Sequence, residues 1–125
     1  MELGNQNILF VVRTMGLGGT ENVVLQLCEI LSDKANKIIV CSSGGVHEKK
    51  LREMGIEHYA IADIASKNPM DMLKNYREIK SIIKKERITL VHAHHRMAAF
   101  YAELCAPKGV TKVANAHNTF TDKKK

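Results

Sequence analysis

The residues best suited to chemistry are a glycine-rich turn and a group of histidines. The turn, Met15-Gly16-Leu17-Gly18-Gly19-Thr20-Glu21, follows the apolar run Ile8-Leu9-Phe10-Val11-Val12 and precedes an amphipathic run over 23–31. A strand, a glycine turn and a helix in that order form an anion site. Glycines let the backbone approach a phosphate, and the helix start offers unpaired N–H groups with a favourable dipole. No Gly-Lys-Ser/Thr follows, which excludes ordinary P-loop ATP chemistry. Gly16 and Gly18 give the first half of a G-x-G-x-x-G pattern, but Glu21 or Asn22 stands where its third glycine belongs. On the turn alone, a plain βα connection fits these residues as well as a phosphate cradle does.

The histidines lie in His92-Ala93-His94-His95-Arg96 and in His117-Asn118. Two histidines two apart on a strand share a face and resemble the start of a zinc site. No carboxylate or cysteine is suitably spaced to complete it, so no metal is expected. No Ser/His/Asp or Cys/His triad can be assembled by spacing. Asp63, Asp71 and Asp122 are available acids with no established proximity to His117. Taken by itself, His117 reads as a strand-end residue held by backbone hydrogen bonds.

The elements that must position these groups alternate along the chain. Strands are predicted over 7–13, 37–42, 57–61, 89–94 and 111–117, and helices over 20–34, 46–54, 69–86 and 96–106. Such alternation predicts an α/β fold, a Rossmann-like open parallel sheet of about five strands with helices on both faces. The expected order is 3-2-1-4-5, with the glycine turn at the switch point between strands one and four. In the first helix Val23, Val24, Leu27, Cys28, Ile30 and Leu31 form the apolar face, and Thr20 is its expected N-cap. Pro69 suits the start of helix three and Gly55 the end of helix two. Ligands bind beyond the carboxyl ends of such strands. There the sequence gathers the glycine turn, Ser42-Ser43-Gly44-Gly45, His94-His95-Arg96 and His117-Asn118-Thr119. That rim suits a polar, phosphorylated ligand.

Length and composition set the bounds. The 125 residues suit one domain, and a hydrophobic fraction of 45% is ordinary for a soluble protein. The run 8–12 is far short of the ~20 residues a membrane span needs, and no signal peptide is evident. A cytoplasmic protein is expected. The scattered cysteines Cys28, Cys41 and Cys105 fit a reducing compartment. Of the net charge of +6, half resides in Lys123, Lys124 and Lys125, and most of the rest lies between Lys74 and Arg87. On the third helix Met72, Tyr76, Ile79 and Ile83 share one face, with Lys74, Arg77, Lys80, Lys84, Lys85 and Arg87 across the other. A solvated outer face accounts for this pattern, and so does contact with an anionic membrane. No aromatic platform accompanies the charge, so nucleic acid is not an expected partner. The fourth helix is apolar almost all round, which predicts packing on more than one side or self-association.

ILFVVRTMGLGGTENVVLQL resembles the opening of the N-terminal domain of family 4 retaining glycosyltransferases. ITLVHAHHRMAAFYAELCA resembles their fourth strand, a D-hydrophobic-V-H-x-H segment, and the following helix. VTKVANAHNTF resembles their fifth strand, which ends in histidine, usually His-Gly. The likeness covers nearly the whole chain in the right order. It implies the GT-B fold, two Rossmann-like domains around a cleft, and transfer of a sugar from a nucleotide-sugar donor with retention of anomeric configuration. It implies no cofactor, the nucleotide sugar being a co-substrate. By resemblance, Gly18 and Gly19 place N–H groups near the donor diphosphate, and His117 is the catalytic residue beside the transferred sugar. His94, His95, Arg96 and Asn118 complete the substrate-binding side. Asn118 departs from the usual glycine, although asparagine tolerates positive φ better than most residues.

The same resemblance implies a domain over 1–122 that is the acceptor-side half of the enzyme, truncated, with a lysine tail at 123–125. Nothing after the fifth strand, in residues 118–125, supplies the Glu-x7-Glu motif of the family's donor domain. The expected partners are a nucleotide sugar, a polysaccharide or lipid-linked acceptor, a donor-binding domain in cis or in trans, and the inner face of a membrane. On this reading the chain alone is inactive. The alternative is a non-catalytic module, or the helper subunit of a split glycosyltransferase acting through protein or membrane contacts. A small response-regulator-like protein is disfavoured, because strand one ends without a magnesium-binding acidic cluster.

Overall fold

The computed structural model describes residues 6–13, 19–45, 48–94 and 96–114. The elements run β1 (Asn7–Val11), α1 (Gly19–Leu31), β2 (Lys37–Ser42), α2 (Glu48–Glu53), β3 (Glu57–Ala60), α3 (Pro69–Lys85), β4 (Leu90–Ala93), α4 (Arg96–Cys105) and β5 (Thr111–Ala114). The strands form one sheet in the order β3-β2-β1-β4-β5, and every pairing is parallel. This is the expected Rossmann-like arrangement. β1 is central because its side chains are apolar on both faces, so it needs cover on both.

Alternation along the strands divides the interior in two. Ile8, Phe10 and Val12 pack with Val40, Val24, Cys28 and Leu51 beneath α1 and α2. Leu9 and Val11 pack with Ile39, Val91, Ile79 and Tyr101 beneath α3 and α4. The helices that precede the switch point therefore cover one face, and those that follow it cover the other.

The helix ends show how local sequence sets the connections. Asn68 caps α3 by accepting from the Met70 N–H at 2.9 Å, and Pro69 follows at the first helical position. α2 ends on Gly55 at φ 77°, with Gly55 N–H bonded to Arg52 O at 3.0 Å and Ile56 N–H to Leu51 O at 2.9 Å. α3 ends with the same pair of bonds, Arg87 N–H to Lys84 O at 3.3 Å and Ile88 N–H to Ile83 O at 2.9 Å. There the left-handed position is held by Arg87 at φ 54°. Both are Schellman caps with a buried isoleucine just beyond.

Two details of α1 differ from expectation. The helix begins at Gly19, so Thr20 lies within its first turn and is not its N-cap. Leu25 is buried, whereas Ile30 is 57% exposed. A helix lying on a twisted sheet turns its contact stripe away from the side chain at position 30. The predicted extensions of β1 and β4 also shorten. Arg13 and His94 follow their strands, and residues 115–117 lie outside the described residues.

Candidate functional site

The carboxyl ends of β1 to β4 meet along one edge, and hydrogen bonds carry the sheet past the formal strand ends. His94 N–H donates to Val11 O at 3.0 Å, Ile61 N–H to Ser42 O at 2.9 Å, and Val12 N–H to Cys41 O at 3.1 Å. Ser43 then closes on β1, its N–H and its hydroxyl donating to Arg13 O at 3.0 and 2.8 Å. The segment entering the glycine turn is thus held by the Ser-Ser-Gly-Gly loop from β2. Parallel register alone brings these loops together.

Behind that loop lies an array that sequence reasoning did not anticipate. Ser42 Oγ is 2.6 Å from His58 Nε2, and His58 Nδ1 is 3.5 Å from Glu48 Oε1. A carboxylate only accepts, so its charge beside Nδ1 favours the tautomer with the proton there, in which Nε2 accepts from the Ser42 hydroxyl. Ser42 Oγ accepts in turn from Gly44 N–H at 3.0 Å, and Glu48 Oε2 accepts from Gly45 N–H at 3.1 Å. Burial pushes the His58 pKa below its ordinary value; Glu48 pulls it back up and Arg52 pushes it down. The three groups are in the sequence of a serine-hydrolase relay. Ser42 is completely buried, however, so no substrate reaches its oxygen. The array is a brace for the loop 43–45. Val40 pairs with His58, which sets Ser42 two residues further along the same face. Only the register reveals this, and no sequence spacing does.

A second brace joins the rim to α3. The Arg13 guanidinium bonds Asp63 through Nε at 3.0 Å and Nη2 at 3.1 Å, a bidentate pair exposed to solvent. Asp63 Oδ1 also accepts from Ala65 N–H at 2.9 Å, and the Asp63 carbonyl accepts a long 3.5 Å bond from the buried Asn75 amide of α3. Ser66 Oγ donates to Asp71 Oδ2 at 2.8 Å. Arg13 and Asp63 were separated by fifty positions in sequence and gave no signal of this pairing.

The predicted site residues are placed as follows. Gly19 opens α1 and Arg96 opens α4. His94 follows β4 on the rim, but its ring turns inward, 3% exposed, 4.2 Å from the His92 ring and 5.8 Å from Phe10. Burial pushes the His92 pKa below its ordinary value. Gly18, His95, His117 and Asn118 lie outside the described residues. Among the described residues, no three His, Cys, Asp or Glu side chains gather in a way that could hold a metal ion. No helix among them is long and apolar enough to cross a membrane.

Comparison with known proteins gives this rim a context. Residues 17–125 match the sequence model of Glycosyltransferase Family 4. The structure matches a glycosyltransferase from Rickettsia africae ESF-5 with TM-score 0.65 and 27% identity, over 87% of this chain and 29% of that one. The chain therefore spans less than a third of that protein's length. It also matches a formyltetrahydrofolate deformylase from Pseudomonas putida KT2440 with TM-score 0.52 and 17% identity, over 72% of this chain and 31% of that one. At that identity only the fold is shared. A search of curated proteins gave no significant match.

Proposed function

The chain belongs to glycosyltransferase family 4, and we propose that it supplies the acceptor-side half of an enzyme that moves a sugar from a nucleotide-sugar donor to a polysaccharide or lipid-linked acceptor. The observation that carries this reading is the strand order. It puts the β1–α1 connection, which holds the glycine turn, at the switch point between β1 and β4. That crevice is where open parallel sheets receive ligands. In this proposal the turn at Gly18 and Gly19 offers backbone N–H groups to the donor diphosphate. His117 lies against the transferred sugar, while His95, Arg96 and Asn118 shape the acceptor side. His94, buried against His92 and Phe10, serves this rim as packing rather than as a substrate contact.

The chemistry is retaining transfer in a GT-B enzyme whose second domain binds most of the donor. The sugar–phosphate bond breaks, the acceptor oxygen bonds the anomeric carbon, and the departing phosphate takes the acceptor proton. What the described residues contribute is rigidity. The Ser42–His58–Glu48 brace holds the loop 43–45, and the Arg13–Asp63 pair holds the end of the segment leaving β1, so the described part of the rim needs no reorganisation during transfer.

A deletion strain complemented with the wild-type gene or with His117→Ala tests this. Mass spectrometry of lipid-linked and surface glycans is expected to show one glycan lost on deletion, restored by the wild type and not by the variant. Full restoration by His117→Ala removes the proposed role. A helper-subunit reading draws support from Phe100 and Leu104 on α4 and Val113 on β5, which are 46%, 52% and 41% exposed. Stoichiometric co-purification with a separately encoded donor domain selects it.

A further inference from the structure

His58 joins two hydrogen-bonded arms that end on the same loop. With its proton on Nδ1, its Nε2 accepts from the Ser42 hydroxyl at 2.6 Å, and Ser42 Oγ accepts from Gly44 N–H at 3.0 Å. Its Nδ1 meets Glu48 Oε1 at 3.5 Å, and Glu48 Oε2 accepts from Gly45 N–H at 3.1 Å. Both N–H groups of Gly44 and Gly45 therefore depend on side chains that touch one imidazole. The loop is also fitted closely to Glu48. Gly44 has φ 103°, and a Cβ there would lie 2.6 Å from Glu48 Oε2. Ser43 carries the connection onward, because its N–H and its hydroxyl donate to Arg13 O at the exit of β1.

We infer that His58 is a proton-operated latch: the neutral ring holds the loop 43–45 against the end of β1, and protonation at Nε2 releases it. The hydrogen-bond inventory sets the direction. A proton on Nε2 turns that atom from acceptor to donor, so the Ser42 hydroxyl loses the acceptor for its own proton. Ser42 is completely buried, and water does not replace that acceptor while the loop stays closed. The new charge also falls on a ring whose side chain is only 6% exposed. Opening the loop hydrates the hydroxyl and the imidazolium together.

The groups around the ring set the balance. Burial opposes the imidazolium most, and it pulls the His58 pKa below its ordinary value; Glu48 of α2 favours the charge and Arg52 of α2 opposes it. Lys49, Lys50 and Glu53 of α2 are exposed. β1 and α1 present apolar side chains to this face of the sheet, together with the Cys28 thiol, which burial keeps neutral. Glu57 and Tyr59, the neighbours on β3, alternate to the opposite face. His92 packs on Phe10 on the same face as His58 but lies three strands away in the sheet order. The latch is therefore closed above about pH 6.5, the ordinary histidine value, and opens as the pH falls below it. Only its consequence rests on the proposed function: the loop borders the ligand-binding edge, so transfer falls when the latch opens although His58 touches no substrate.

Amide hydrogen exchange in the full chain, read residue by residue by NMR, tests the latch. Protection of Gly44 and Gly45, corrected for the intrinsic exchange rate at each pH, should fall between pH 7.5 and pH 5 by up to about thirtyfold, the ratio that a pKa of about 6.5 in the opened state allows. His58→Gln supplies an amide oxygen that accepts from Ser42 and cannot titrate, so Gly44 should stay protected at both pH values. Gly44→Ala pushes the loop off Glu48 with the imidazole intact, so Gly45 should be poorly protected at both. Unchanged protection in the wild type, or an equal fall in His58→Gln, would overturn the inference. In sugar transfer, kcat/KM of the wild type should drop toward pH 5 more steeply than that of His58→Gln. No transfer by either protein, with the wild-type loop still releasing at low pH, counts against the proposed function and leaves the latch standing.

Discussion

Replacing Ser42 with alanine separates a brace from an incidental contact. The hydroxyl is buried and serves two partners, Gly44 N–H at 3.0 Å and His58 Nε2 at 2.6 Å. Its removal strands a half-buried donor and an imidazole whose side chain is 6% exposed. A bond lost in this way costs about 1 kcal/mol, and more where the orphaned partner stays dry, so Ser42→Ala should cost about 2–3 kcal/mol. For a domain of 125 residues, about 2.1 cal/mol/K per residue converts this into a Tm lowered by about 8–12 °C. Thermal melts of Ser42→Ala, His58→Phe and the double variant complete a cycle. The double variant should lose at least about 1 kcal/mol less than the sum of the two. The pH dependence has a definite sign. Burial lowers the His58 pKa in the folded state, so its contribution is present above about 6.5, the unfolded value, and is lost as pH falls through 6.5 to the lowered folded value. His92 adds loss of the same sign, but His58→Phe retains that part. Wild type should therefore lose more stability than His58→Phe on going from pH 7.5 to 5. Strict additivity in the cycle, together with equal pH slopes, would refute the brace.

Three further outcomes follow from the same packing. Tyr101 is fully buried and its hydroxyl has no hydrogen-bond partner among the described residues, so Tyr101→Phe should raise stability by about 1 kcal/mol in urea titration; a loss of that size contradicts the packing. Arg87 caps α3 at φ 54° where α2 uses Gly55 at φ 77°, so Arg87→Gly should stabilise by about 0.5–1 kcal/mol and Gly55→Ala should destabilise by about 1 kcal/mol or more, read by the same melts. Burial pushes the Cys28 thiol up to about 12 and the Cys105 thiol to about 11, and raises Cys41 as well. All three should react with a thiol reagent at pH 7.5 only as fast as the protein opens, and one rapidly modified thiol in the native protein would count against the described burial.

The layout of the fold was legible because this chain is locally consistent. Ile8 to Val12 is apolar at successive positions, as a central parallel strand must be. Pro69 and Gly55 mark helix ends by backbone chemistry that acts within a few residues. Thr20 misled for the same reason: an N-cap residue type is a local preference, and the helix gains two residues by starting at Gly19. The site was legible to the extent that it sits at strand ends. The rim position of His94 followed from β4, whereas the inward turn of its ring follows from the facing Phe10 and His92. Ser42, Glu48 and His58, and likewise Arg13 and Asp63, are brought together by register across three strands. A sequence carries no local record of register when both faces of the strands are covered.

Sugar transfer itself is the most direct test. Label is followed from a panel of nucleoside diphosphate sugars into a lipid-linked acceptor fraction, using the full-length gene product in wild-type form and as His117→Ala. The account predicts transfer from one donor by the wild type. It also predicts a fall of about a hundredfold or more in the variant, with donor binding retained, as for loss of a group acting at the transition state. Equal rates for the two proteins, or no transfer from any donor in the presence of a competent acceptor, would contradict it.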